Sequence, residues 1–254
     1  MVVQVDPSWI LSIFLVSLRV GVLLMLSPIF TGLQGLVTVR VLLTLTLSAV
    51  LVGGLGIRPA PLALELVPVI LAALAELAVG ATLAFGVMAA FGAFSVAGKV
   101  LDIQSGFGIG NVYDPVTRAG APLFATMLNM VAVVGFFSME AHHAFLRAIA
   151  FSLEVAPPGR GFGALAADAA VRQIGLMFSL GVALIVPVML CLLLVEVGLA
   201  VVSRALPQMN VIIAVAPVKI FAGMSIFALT IGVLAPAMGR VYASIFSFWE
   251  QVLT

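Results

Sequence analysis

LAVGATLAFGVMAAFGAFSVAG, Leu77 to Gly98, runs for 22 residues without a charged side chain. As a helix rising about 1.5 Å per residue it would reach across a hydrocarbon core of about 30 Å. Other uncharged runs of comparable length cover Val20 to Val39, Ala119 to Met139, Gln173 to Val195 and Ile220 to Gly239. Val41 to Ile57 is a shorter, marginal run. The whole chain is 64% hydrophobic and 8% charged, with a mean hydropathy of +1.34, where soluble domains carry about a quarter charged residues. A chain of 254 residues so arranged leaves no room for a separate soluble domain. The expectation is an all-α integral membrane protein.

Bulk features narrow the class further. A net charge of +1 from scattered residues offers no nucleic-acid surface. The lone Cys191 excludes an internal disulfide framework and carries no metal-ligand spacing. MVVQVDPSWI at the start has no basic region and no small-residue cleavage site, so it reads as retained. Positive residues are spread almost evenly among the connections, which leaves orientation open.

Helix breakers set the organisation. Asp6-Pro7-Ser8 opens a first helix ending near Ser27-Pro28, and a second covers roughly Leu36 to Val52 before Gly53-Gly54. Pro59 and Pro61 precede a segment that stays apolar to Gly98, longer than one span requires. Pro122 opens a helix expected to reach about Glu154. Pro157-Pro158-Gly159-Arg160-Gly161 is the clearest linker. A long block from Ala164 to Ala205 follows, then a turn at Leu206 to Asn210 and a final arm to the C-terminus.

Next to the opening stretch lies the polar island of the chain, KVLDIQSGFGIGNVYDPVTRAGAP, Lys99 to Pro122, with four charges and four glycines. It reads as a polar connection between membrane-grade helices. Inside the apolar blocks stand Arg19, Glu76, Glu196 and Lys219, each costly to bury alone. An ion or proton path is one reading; pairing at helix interfaces, or snorkelling near helix ends, is the other. Gly86, Ala90, Ala93 and Ala97 fall on one helical face, a stripe of small residues suited to close helix packing.

No enzyme signature emerges. His142 and His143 are adjacent, not at the i, i+4 spacing of a zinc-protease helix. They also lie apart from any nucleophile-elbow pattern. GFGIGNV lacks GxGxxG, a following Lys-Ser/Thr and a preceding strand, so it is no phosphate loop. No cofactor is expected.

Taken together, LDIQSGFGIGNVYDPVTRAGAP, Arg19 in LRVGVLLMLSP, Arg40 in VTVRVLLTLTLS, ELAVGATLAFG from Glu76, and ALPQMNV followed by APVKIFAG resemble the FliR/SctT family of type III protein-export gates, its flagellar branch in particular. The likeness extends over essentially the whole chain. Pro187, Pro207, Gln208, Asn210, Pro217 and Lys219 also resemble the two-helix family partner FliQ.

The resemblance implies long, bent helical hairpins, with a FliP-like region at 1–156 containing the loop 99–122, a linker at 157–163 and a FliQ-like hairpin at 164–254. It implies a non-enzymatic channel subunit that passes unfolded flagellar proteins across the bacterial inner membrane. Such a subunit sits within the flagellar basal body, with FliP-like, FliQ-like and FlhB-like subunits as partners and lipid around them. Under this view the stripe at Gly86 becomes a contact between subunits. The polar loop would point into the channel and help plug it. Gly106, Gly108 and Gly110 would supply backbone freedom, Phe107, Ile109 and Tyr113 bulk, and Asp114-Pro115 a turn. Asp102 and Gln104 would fix the base of the loop. Arg19, Arg40, Glu76, Asp102, Glu196 and Lys219 would serve assembly. The injectisome counterpart of the gate shares these motifs. From a different class, an ion-coupled secondary transporter would use Glu76 and Glu196 as relay carboxylates.

Overall fold

The computed structural model describes residues 7–33, 37–56, 65–106, 122–159, 167–205 and 211–254. These form an all-α membrane protein. The helices are α1 (Pro7–Leu26), α2 (Val37–Gly54), α3 (Leu66–Ser105), α4 (Leu123–Ser138), α5 (Ala141–Val155), α6 (Ala167–Ala205), α7 (Val211–Thr230) and α8 (Ala235–Leu253). Short 3-10 turns lie at Pro28–Leu33 and Ile231–Leu234. Five helical stretches among the described residues are long and apolar enough to cross a membrane. At 40 residues, α3 is about 60 Å long, roughly twice a hydrocarbon core.

Three expectations are corrected. The helix opened by Pro122 does not continue to Glu154; it stops at Ser138 and restarts at Ala141. Glu140 sits there at φ 57°, a conformation that costs a non-glycine residue about 1 kcal/mol or more. The break falls where the uncharged run gives way to Glu140-Ala141-His142-His143, so a different solvent preference begins at the same point. Second, the polar stretch does not begin as a loop at Lys99, because α3 continues to Ser105. Leu101, Asp102 and Ser105 are buried on that last turn, and tertiary packing extends the helix past the apolar run. Third, the small-residue stripe is filled by this chain itself. Gly86 lies under Phe248 and Trp249 of α8, and Gly181 of α6 fits against the Ala93 carbonyl.

The chain divides into two compact units. The first takes the chain up to Ala89, with Glu140–Ile174 and Ala243–Thr254. In it α1 buries Leu15, Val16, Val20, Leu23 and Leu24. Gly80 lets α3 approach its backbone: a Cβ there would meet the Arg19 carbonyl oxygen at 2.6 Å. Trp249 of α8 is buried and donates from Nε1 to the Leu83 carbonyl at 3.0 Å. Its ring also packs 5.6 Å from Phe145 of α5.

The second unit comprises Ala90–Met139 and Gly175–Tyr242. Its centre is Tyr242, whose hydroxyl donates to the Ala132 carbonyl at 2.7 Å. The ring packs among Phe91, Phe94 and Phe136 at centroid distances of 5.6–6.2 Å. Gly135 has no room for a Cβ beneath Met238 and Tyr242. Gly98 lies so close to Ala125 that a Cβ would overlap its backbone, which brings α3 and α4 into direct backbone contact.

Candidate functional site at the base of the polar segment

Asp102 stands one turn before the end of α3 and is buried. Its Oδ1 accepts the Phe124 amide at 2.8 Å and its Oδ2 the Ala125 amide at 3.1 Å. Those amides belong to the first turn of α4, where backbone N–H groups lack helical partners. Pro122, at the cap position, supplies no side-chain bond. A carboxylate from another helix therefore does what a local Ser or Asp usually does, and its charge also suits the positive end of the helix dipole. The two ends of the segment 107–121 are thereby tied by one side chain. Gln104 adds a second tie, donating from Nε2 to the Met189 carbonyl of α6 at 3.2 Å. Its Oε1 is buried with no partner among the described residues. Gly106 ends the helix at φ 87°, where any side chain would be strained.

Phe107, Gly108, Ile109, Gly110, Tyr113, Asp114 and Pro115 lie outside the described residues, as do Pro207, Gln208 and Asn210. Pro217 lies within α7 and is exposed.

The intramembrane charges are joined in pairs. Arg19 and Glu76 are both almost wholly buried, with Nε to Oε2 at 2.7 Å and a second contact from Nη2 to Oε1 at 3.2 Å. The remaining donors of Arg19 reach Ser152 at its carbonyl and hydroxyl, and the Ala156 carbonyl at the end of α5. Glu76 Oε1 also accepts the Gly159 amide at 3.1 Å. One planar fork thus joins α1, α3, α5 and the start of the linker, the bidentate geometry that suits arginine better than lysine. Lys219 of α7 and Glu196 of α6 meet at 2.8 Å. Arg40 donates to the Phe30 carbonyl at 2.6 Å.

Sequence reasoning passed over the roles of Ser152, Ala156 and Gly159, which act here through backbone atoms that carry no residue-type signal, Ser152 through its hydroxyl as well. It also passed over Tyr242 and Trp249. Those two could have been found from the spacing of Met238, Val241, Tyr242, Ile245, Phe248 and Trp249 along one helical face. Chemically the arrangement holds backbone in place: its carboxylates are engaged by a guanidinium, an ammonium or backbone amides. Among the described residues no cluster of three or more His, Cys, Asp or Glu side chains could hold a metal ion.

Residues 10–245 match the family described as "Bacterial export proteins, family 1". The chain is 28% identical over 155 residues to the flagellar biosynthetic protein FliR of Bacillus subtilis, covering 59% of this chain and 60% of that protein. The chain thus spans about three fifths of the length of that relative. It is 23% identical over 185 residues to the protein of the same name from Pectobacterium carotovorum, covering 70% and 69%. With that of Aquifex aeolicus it shares 24% identity over 218 residues, covering 85% and 83%. The family match takes in the Arg19–Glu76 pair, the Asp102 clamp and the Glu196–Lys219 pair, and by that match the chain belongs to the bacterial export proteins, family 1.

Proposed function

We propose that this chain is a component of the flagellar protein-export apparatus, a channel-forming subunit that passes unfolded flagellar proteins across the bacterial inner membrane. The observation that carries the reading is the family match over residues 10–245, joined by relatives named for flagellar biosynthesis. The subunit works within the basal body beside FliP-like, FliQ-like and FlhB-like partners, with a FliP-like part at 1–156 and a FliQ-like hairpin at 164–254. Its role is mechanical and not enzymatic, and its energy comes from those partners.

The segment 107–121 acts as the plug. Support comes from the Asp102 clamp, which fixes both ends of that segment in one place. A closure must seal against ions and still yield to a polypeptide. A firmly held base with a separately releasable middle meets both demands. Gly106, Gly108 and Gly110 allow the middle to change course, Phe107, Ile109 and Tyr113 fill the passage, and Asp114-Pro115 turns it.

The ion-coupled transporter loses ground because its two relay carboxylates, Glu76 and Glu196, are each held by a cation. Deleting Gly106–Gly110 tests the plug. Cells making the shortened chain should leak ions and grow poorly when the export complex is overproduced, read as membrane depolarisation. An unchanged membrane potential with intact complex assembly would overturn the plug.

A further inference from the structure

Most of the outer surface of the described helices is apolar. Leu66 of α3, Leu194 of α6, and Phe221 and Leu229 of α7 are exposed by 76%, 71%, 75% and 82%. On α6 the exposed Glu196 is neutralised by Lys219.

Two helices of the first unit break this pattern. On α8, Ile245, Phe248, Trp249 and Leu253 all turn inward, and none of the helix's large apolar side chains is exposed. Its exposed positions in this unit are Ala243, Ser247, Glu250, Gln251 and Thr254, spaced to form one continuous stripe. Helix α5, joined to α8 through Phe145 and Trp249, behaves alike. Phe145, Ile149 and Leu153 are buried, while His143, Arg147 and Glu154 are exposed, with Glu140 just ahead of them. Leu146, Phe151 and Val155 are the apolar exceptions on α5, each exposed by about two fifths. Arg147, Glu154 and Glu250 take part in no ion pair among the described residues.

We propose that the surface shared by α5 and the C-terminal half of α8 faces water, and not acyl chains, when the protein is in its membrane. Unpaired charges and amide side chains are strongly disfavoured against lipid, and the large apolar side chains of α8 are buried or, at Phe246 and Val252, only half-buried. By composition α8 closes an apparent membrane span, Pro217–Leu253. Within that stretch the exposed large apolar residues, Val218, Phe221, Leu229 and Val233 among them, all precede α8, whereas Ile245, Phe248, Trp249 and Leu253 of α8 are turned toward the protein. This inference stands apart from the export reading, since it rests only on which side chains face outward.

The test uses the unsubstituted protein in native membranes opened to both sides. A water-soluble carbodiimide with glycine ethyl ester modifies carboxylates that water reaches, read by mass spectrometry. Glu154 and Glu250 should react about tenfold or more faster than the buried Glu76, as expected of freely solvated carboxylates. Equal protection of all three would overturn the proposal, whether lipid or a second protein covers the surface. A second measurement replaces Cys191 with serine and introduces Ser247→Cys, Gln251→Cys or Leu194→Cys. A sulfonated maleimide should label the first two about tenfold faster than the third, because a thiol in apolar surroundings does not ionise readily. Slow labelling at 247 and 251, matching 194, would contradict a wet surface.

Discussion

Arg19 makes five hydrogen bonds from a position that is 1% exposed. Removing its counter-charge would leave a guanidinium stranded in an apolar interior. We expect Glu76→Gln to lower stability by about 3–5 kcal/mol, the usual cost of breaking a buried pair from one side. Thermal unfolding of the purified protein in mild detergent measures it. A proton relay would behave otherwise, losing transport while melting normally. Asp102 has a smaller, more local task. Asp102→Ala should cost about 1–2 kcal/mol, as for other lost helix caps. Its signature is faster hydrogen exchange at the Phe124 and Ala125 amides, with the amides near Trp249 unchanged. Uniform exchange rates across both variants would mean that Asp102 does not hold α4.

At the scale of helices, glycines separate into two kinds. Gly98 of α3 faces the Ala125 backbone with no room for a Cβ, whereas Gly198 of α6 has nothing within 4 Å of where a Cβ would sit. Gly98→Ala should therefore force α3 from α4 and destabilise by about 1–3 kcal/mol. Gly198→Ala should be neutral or stabilise by up to about 1 kcal/mol, since alanine is the better helix former. Paired melting curves of the two variants check the contrast, and equal shifts would contradict the packing described. The same closeness explains why α3 runs past the apolar stretch into the polar island. Lys99 to Ser105 stays helical because Leu101 and Ser105 are buried and Asp102 holds the first-turn amides of α4, information absent from the local sequence. Glu140 was the reverse case. The switch from an uncharged run to Glu140-Ala141-His142-His143 was visible, but hydropathy alone did not mark it as a break in direction.

Over the whole molecule, the membrane class and the all-α architecture followed from uncharged runs, because lipid leaves a backbone few alternatives to the helix. Pairing across the chain was not legible in the same way. Arg19 and Glu76 are 57 residues apart and Tyr242 and Ala132 are 110 apart, and no spacing rule joins them. The candidate site was half legible: Asp102 and Gln104 stood out as polar residues beside a glycine-rich segment, while their backbone partners carried no signal. The paired charges and inward-turned aromatics make each unit a firm scaffold, yet broad apolar faces on α2, α6 and α7 remain exposed. A subunit of a larger membrane assembly needs such faces; lone spans would use them for lipid alone.

Co-purification decides between those uses. The tagged chain is extracted from native membranes in mild detergent, and its mass and partners are read by native mass spectrometry. We expect a stable complex in which this chain is held with FliP-like and FliQ-like subunits. Recovery of this chain alone, monomeric and folded, would contradict the central claim.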